Sequence, residues 1–168
     1  MEFFKLVEQR RSVRRFQDKV VAPELVDRIL QAVRLAPTAG NYQAYEVYVV
    51  NGREAMQRVA EATFHPDWIA QAPLALVVCT NASRCQYDGP EHWALQDASI
   101  AATFAHLAAS ELGLATCWVG AFIPAKLAAA AQVQDGHVPM ALLPIGYAAE
   151  APEASPRRAL AEFVHQRG

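Results

Sequence analysis

Apolar residues recur along this chain at two spacings, and the switches between them mark out helices and strands. Over residues 2–9 they fall at Phe3, Leu6 and Val7, one side of a short amphipathic helix. Residues 10–16 lose that period. Read as extended chain, they put Arg10, Ser12, Arg14 and Phe16 on one face and Arg11, Val13 and Arg15 on the other. Pro23 opens a second helix with Val26, Ile29, Leu30 and Val33 as its buried face, and this helix stops before Pro37. The loop 37–43 is dense in turn formers, with Gly40 and Asn41 both tolerant of positive φ. A strand over 45–50 follows, then an Asn51-Gly52 turn and a helix running to about Ala62. Residues 65–68 read as a loop or short helix around one anchoring residue, Trp68. The run 74–80 is almost wholly apolar, which places it in the middle of a sheet covered on both faces.

Residues 81–91 are polar and irregular, of a length at which loops carry function, and form the candidate substrate lid. The longest helical pattern covers 92–112 and is apolar through Ile100, Phe104, Leu107 and Leu112, which implies burial in the core or between subunits. Asp97 is the exception on this helix. A carboxylate there must be capped or paired, and it reads as structural rather than as a general base. The pattern ends at Gly113, and 115–119 reads as a short buried strand opening onto Gly120 and Ala121, where backbone N–H groups can approach a ligand closely. Pro124 starts an alanine-rich helix, 132–138 is a polar connection, and 139–145 is a last apolar strand ending at Gly146. From 149 to 156 the chain is rich in proline, alanine and glutamate, the composition of an extended arm. Leu160, Phe163 and Val164 beyond it provide an apolar grip suited to a second subunit.

Length and composition sharpen this picture. A chain of 168 residues is expected to form a single domain, 1–168, burying about two thirds of its unfolded surface. With 53% hydrophobic and 19% charged residues, some apolar surface is left for a partner, and a homodimer is expected. A net charge of −2 gives no electrostatic footprint for nucleic acid or an anionic membrane, so the arginines at 10–16 need a smaller anion. The N-terminus lacks the apolar core and cleavage site of a signal peptide, and the apolar run around 101–109 is interrupted by Thr103 and His106 and too short to cross a bilayer. A cytoplasmic location follows as an expectation. Cys79, Cys85 and Cys117 are odd in number and lack metal-like pairing, so they read as free thiols and no metal site is expected.

Three stretches carry candidate chemistry. In RRSVRRF at 10–16, two guanidiniums and a hydroxyl on one face suit a phosphate, since guanidinium forks bind its oxygens in bidentate fashion. The same heptapeptide alone also suits a solvated basic turn. In APTAGNYQAY at 36–45, the amides of Asn41 and Gln43 match the donor and acceptor edge of a flavin pyrimidine ring, although an isolated Gly-Asn also closes a turn on its own backbone. The stretch ELGLATCWVGAF at 111–122 suits a planar cofactor docked at Gly120 and Ala121, and equally an ordinary join of helix, glycine and strand.

Together with WALQDASIA on the long helix, PMALLPIGY and the closing PRRALAEFV, these motifs resemble the FMN-dependent nitroreductase family in order and spacing, from about Glu2 to Val164. The resemblance implies an α+β fold, a nitroreductase-like central and mostly antiparallel sheet flanked by helices, in an intertwined homodimer with an extended C-terminal arm and FMN at the subunit interface. It makes Arg10 and Ser12, with Arg11, ligands of the FMN phosphate, and Arg14 the cation beside flavin N1 and the C2 carbonyl. Pro37, Thr38, Ala39, Asn41 and Gln43 resemble the loop that the other subunit lays against the isoalloxazine ring. Gly120 and Ala121 resemble the backbone donors near N5 and the C4 carbonyl, and Arg157 and Arg158 the arm that returns to the phosphate. Three positions depart from the family pattern: Tyr45 where a tryptophan is frequent, Ile123 where an aspartate often follows GAF, and Thr103-Phe104 where Gln-Asn is frequent.

The activity implied is hydride transfer from NADH or NADPH to FMN and then to a nitroaromatic, quinone or similar small acceptor by ping-pong turnover, with Arg14 tuning flavin N1 and no side chain needed as acid or base. Flavin fragmentation and reductive dehalogenation are rivals within the same fold, and each calls for substrate-holding elements not found in this sequence. An FMN-binding, flavin-handling protein with little turnover is the non-enzymatic rival.

Overall fold

The computed structural model describes residues 2–168. Its centre is β2 (Leu74–Thr80), hydrogen-bonded antiparallel on one side to β1 (Tyr45–Asn51) and on the other to β4 (Val138–Gly146). A two-residue strand, β3 (Ala115–Thr116), completes a four-stranded sheet of order β1-β2-β4-β3. Alternation along β2 feeds two separate cores, because successive side chains point to opposite faces. Ala75, Val77 and Cys79 pack with Met56, Val59, Ile69, Leu127 and Leu142. Leu74, Leu76 and Val78 pack with Ile29, Val33, Leu143, Ile145 and a row of alanines. Both faces are therefore covered, as the unbroken apolar run predicts.

The first of these cores lies under α3 (Arg53–Glu61), α4 (Pro66–Ile69) and α6 (Pro124–Ala130). In α4 the fully buried anchor is Ile69, with Trp68 half-buried beside it, so the sequence reading named the neighbour of the anchoring residue. The second core lies under α2 (Pro23–Arg34) and the long α5 (Pro90–Glu111). Proline at the first position of α2, α4, α5 and α6 opens each helix where a missing N–H costs nothing.

α5 meets the sheet through its small residues. Its buried face is Ala94, Ala98, Ala101, Ala102, Ala105 and Ala109, while Ile100, Phe104, Leu107 and Leu112 are only half-buried. Small side chains let the helix backbone come close to the sheet, and the bulky residues fill the flanks. Ala101→Leu should therefore overpack this contact and destabilise the fold by about 1–3 kcal/mol, read from a urea midpoint. The helix ends in a left-handed glycine, Gly113 at φ 75, with Leu114 N–H donating to Ala109 at 2.9 Å.

The expected strand over 115–119 is interrupted. Val119 and Leu142 exchange hydrogen bonds of 2.9 and 3.0 Å, in the same register that pairs Thr116 with Ile145. Pro144, two residues on from Leu142, faces the same edge and has no N–H to give, so Cys117 and Trp118 leave the ladder.

The N-terminal helix α1 (Phe3–Gln9) buries only Leu6, leaving Phe3 61% and Phe4 79% exposed. Residues 10–17 then lace two segments together: Val13 N–H donates to Thr116, Gln17 N–H to Tyr147, and Arg15 accepts from Ala149 N–H. This change of partner twists the chain, and simple alternation fails as a result. Val13 and Phe16, expected on opposite faces, are both buried, while Arg14 and Arg15 are exposed. After β4 the arm from Ala149 onward is almost wholly exposed, its only helical element a 3₁₀ turn at Leu160–Glu162. Among the described residues no helix is long and apolar enough to cross a membrane.

Candidate cofactor site

Arg10 is the residue that ends α1, its N–H bonded to Leu6 at 2.9 Å. Its guanidinium donates from Nη1 to Nε2 of His106 on α5, at 2.8 Å. A guanidinium has no acceptor, so Nε2 must offer a lone pair and the ring proton sits on Nδ1. His106 is 8% exposed, and its Nδ1 is buried without a hydrogen-bond partner among the described residues. Burial, and then the Arg10 charge, push the His106 pKa down to about 4. At neutral pH the imidazole is uncharged.

The charges acting on Arg10 are mostly of its own sign. Burial, then Arg157, then Arg11 push its pKa below the ordinary value. Three sequence-predicted phosphate ligands, Arg10, Arg11 and Arg157, thus converge, although Arg157 comes from the far end of the chain. Arg11 Nη1 donates to the carbonyls of Glu8 and Arg10 at 2.7 and 2.9 Å, and Arg157 Nη1 to those of Ser155 and Pro156 at 3.2 Å each. Like charges gathered this way create a local potential that an anion relieves. Arg158 is not brought in: it lies over the Phe163 ring, 5.2 Å from the centroid.

Cys117 marks the middle of the patch. Burial raises its pKa, while Arg14, the Ser12 hydroxyl and Arg10, in that order, act to lower it. Ser12, Arg14 and Arg10 therefore lie within electrostatic reach of one thiol, as does Glu150, which acts in the opposite sense. Arg14 is fixed through its backbone, whose N–H donates to Glu150 Oε1 at 2.6 Å, leaving its side chain exposed. Sequence reasoning missed His106, Cys117 and Glu150. For His106 the available signal was an imidazole interrupting an apolar run.

A few residues on, the backbone N–H groups of Gly120 and Ala121 have no backbone partner among the described residues. They are held in place by their neighbours: Phe64 N–H donates to the Ala121 carbonyl at 3.3 Å and Ile123 N–H to Ala62 at 2.9 Å. A side chain at Gly120 would find open space, its nearest neighbour being Trp118 Nε1 at 4.0 Å. Gly120 and Ala121 are both exposed.

The loop 37–43 is built on Asp97. The carboxylate of this 1%-exposed residue accepts Ala39 N–H at Oδ1, 2.8 Å, and Ala44 N–H at Oδ2, 3.0 Å, spanning the loop from end to end. Asp97 is thus a structural clamp, as its apolar surroundings predict. Between these bonds Gly40, Asn41 and Gln43 all adopt positive φ, at 55°, 58° and 51°. Gln43 N–H donates to Thr38 Oγ1 at 3.2 Å, and its amide reaches the Asn41 carbonyl, also at 3.2 Å. Pro37, Thr38, Ala39, Asn41 and Gln43 form one surface feature, and the amides of Asn41 and Gln43 lie side by side. The candidate lid at 81–91 is fastened to this loop. Arg84 Nε donates to the Tyr42 and Gln43 carbonyls at 3.1 and 3.0 Å, and Tyr87 stands edge-on between Tyr42 and Trp93, with centroids 5.1 and 5.6 Å away.

A groove of about 1040 Å³ lies between the start of α2, the linker after Phe16 and the Val49 end of β1, and none of these site residues lines it.

The profile of the nitroreductase family matches residues 7–65 and 61–147. A protein of Methanothermobacter thermautotrophicus named as a putative NADH dehydrogenase/NAD(P)H nitroreductase is 32% identical over 157 residues, 90% of this chain and 80% of that protein. An FMN reductase [NAD(P)H] of Bacillus subtilis is 30% identical, with 98% of this chain and 73% of the relative covered. The crystal structure of a nitroreductase family protein from Clostridium difficile 630 superposes with a TM-score of 0.88 at 31% identity, over 100% of this chain and 99% of the other. On the profile match, the relatives and the shared fold, the chain belongs to the nitroreductase family.

Proposed function

We propose that this protein is an FMN-dependent oxidoreductase that takes hydride from NADH or NADPH and delivers it to a nitroaromatic, quinone or similar acceptor. The observations that carry this reading are Arg10, Arg11 and Arg157 acting on one another with like charge, Ser12 and Arg14 acting with Arg10 on the Cys117 thiol, and, three residues further along the chain, the N–H groups of Gly120 and Ala121 with no backbone partner among the described residues. That donor set fits a phosphate joined to a planar ring with an electron-rich edge. FMN, when bound, supplies hydride acceptance and release at its N5. The relatives named NAD(P)H nitroreductase and FMN reductase [NAD(P)H] support the same assignment.

The roles of the residues follow from their chemistry. Arg10 and Ser12, with Arg11 and Arg157, hold the phosphate; Arg158 lies on the same arm and joins them only by leaving Phe163. Arg14, tethered by its backbone and exposed along its side chain, places a positive charge at the ring edge where negative charge develops. Gly120 and Ala121 orient the opposite edge through fixed dipoles. Asn41 and Gln43, carried with Pro37, Thr38 and Ala39 on the Asp97-braced loop, present amides to a ring held by a second subunit. A homodimer is part of this proposal, supported by Phe3 and Phe4 on α1 and by Leu160, Phe163 and Val164 on the arm, all exposed.

The test begins with colour. Purified protein should show flavin bands near about 450 nm that bleach anaerobically with NADH or NADPH and return when menadione or a nitrofuran is added. Protein that stays colourless after FMN is added rejects the reading, and bands resistant to both donors leave a flavin-handling protein. Arg10→Ala should weaken FMN binding about tenfold to hundredfold, the range for a lost charge-assisted contact. Arg14→Ala should instead slow flavin reduction more than it weakens FMN binding, measured by stopped-flow beside fluorescence titration.

A further inference from the structure

We propose that His106 is a positioning residue which, as a neutral acceptor, aims the Arg10 guanidinium at the cofactor phosphate without cancelling its charge. The inference rests on the FMN reading above and goes one layer deeper into the same site. An arginine next to an anion site has two needs that conflict. Its long side chain must be held in one rotamer, and the usual partner for that is a carboxylate. A carboxylate would neutralise the guanidinium and compete with the incoming phosphate. An imidazole lone pair avoids the conflict: it takes one of the five N–H donors and leaves four, with the full positive charge, for the ligand.

Three features support this assignment. The Nη1 to Nε2 distance is 2.8 Å, a well-formed hydrogen bond. The ionisable groups that act on Arg10 besides its own backbone neighbour are Arg157 and Cys117, a thiol uncharged at neutral pH, and no carboxylate stands among them. Finally, His106 is a poor choice for stability alone. Its Nδ1–H is buried with no partner among the described residues, which costs about 1–3 kcal/mol, whereas an aromatic hydrocarbon of similar size pays nothing of the kind. Burial and the Arg10 charge keep the ring neutral, so the acceptor is available at any ordinary pH.

The test compares FMN with riboflavin, which has the same ring and no phosphate, by flavin fluorescence quenching on the apoprotein. His106→Phe should weaken FMN about tenfold and leave riboflavin affinity unchanged. His106→Gln, which keeps a neutral carbonyl acceptor, should recover most of the loss. His106→Glu, the same size but anionic, should weaken FMN at least as much as phenylalanine does. Equal losses for both flavins in His106→Phe indicate a merely structural role and overturn the inference. If that variant does not fold, the Gln and Glu pair decides, and equal FMN affinities overturn it. Arg10→Ala is the control for the underlying reading: if it does not change the FMN to riboflavin ratio, the phosphate site itself is misassigned. If it does and His106→Phe does not, only the role of His106 falls.

Discussion

Asp97→Ala should lower the stability of this protein by about 3 kcal/mol. The carboxylate is 1% exposed and accepts two backbone N–H groups, from Ala39 and Ala44. Removing it leaves both donors unpaired, at about 1–3 kcal/mol each, partly offset where water enters the gap. For a domain of this size the loss corresponds to a fall in melting temperature of about 6–12 °C. Asp97→Asn is the sharper variant. Its carbonyl can serve one N–H, but its amide nitrogen then faces the other donor, so it should lose more than half as much stability as alanine despite its matching shape. An asparagine variant as stable as wild type would mean that Asp97 does not hold both ends of the loop. The consequence reaches function, because Gly40, Asn41 and Gln43 sit at positive φ between the two anchored ends and revert to ordinary conformations when released. FMN binding should fall with stability, and loop amides such as Asn41 should lose protection from hydrogen exchange.

That clamp also shows what the sequence could reveal. A lone carboxylate on an otherwise apolar helix must be paired, and this follows from burial cost without knowing the partner. The unbroken apolar run at 74–80 announced a central strand for the same reason, and the helices led by Pro23 and Pro124 were visible at their starts, whereas α5 begins at Pro90, inside the segment read as the 81–91 loop. Other features depend on geometry that no local pattern carries. α5 buries alanines because it lies close to the sheet, a distance set by the tertiary packing of β2 and β4. The faces of 10–16 change because the segment swaps its hydrogen-bond partner from Thr116 to Tyr147, which a periodicity argument cannot anticipate. The gap in the strand after Thr116 is dictated by Pro144 on another strand. In the site, RRS at 10–12 stood out by composition. His106 lies 96 positions away from Arg10 and meets it only through the docking of α1 on α5.

His106 also predicts an acid sensitivity. Its pKa is lowered from 6.5 to about 4 in the folded chain. Above pH 6.5 the ring is neutral whether the chain is folded or not, and it adds no pH dependence. Between the two values the unfolded chain binds a proton that the fold refuses, so stability falls as pH falls, by about 1.4 kcal/mol per pH unit. Across the whole window the loss is on the order of 3 kcal/mol. Carboxylates begin to titrate at the lower end, so pH 7 to pH 5 is the clean interval. There wild type should lose about 2 kcal/mol more than His106→Gln, which carries no titrating ring. Identical slopes in the two proteins would show that the imidazole is not held neutral by burial and Arg10. FMN should act in a definite direction. A phosphate that binds an Arg10 oriented by the neutral ring binds less tightly once His106 is protonated, so by linkage FMN holds the ring pKa at or below its apoprotein value. The slope between pH 7 and pH 5 should therefore persist in the FMN complex. FMN affinity of the wild type should fall relative to His106→Gln as pH drops toward the ring pKa of about 4, which ties the pH response to the same contact that orients Arg10, and a ring pKa raised by FMN would contradict that role.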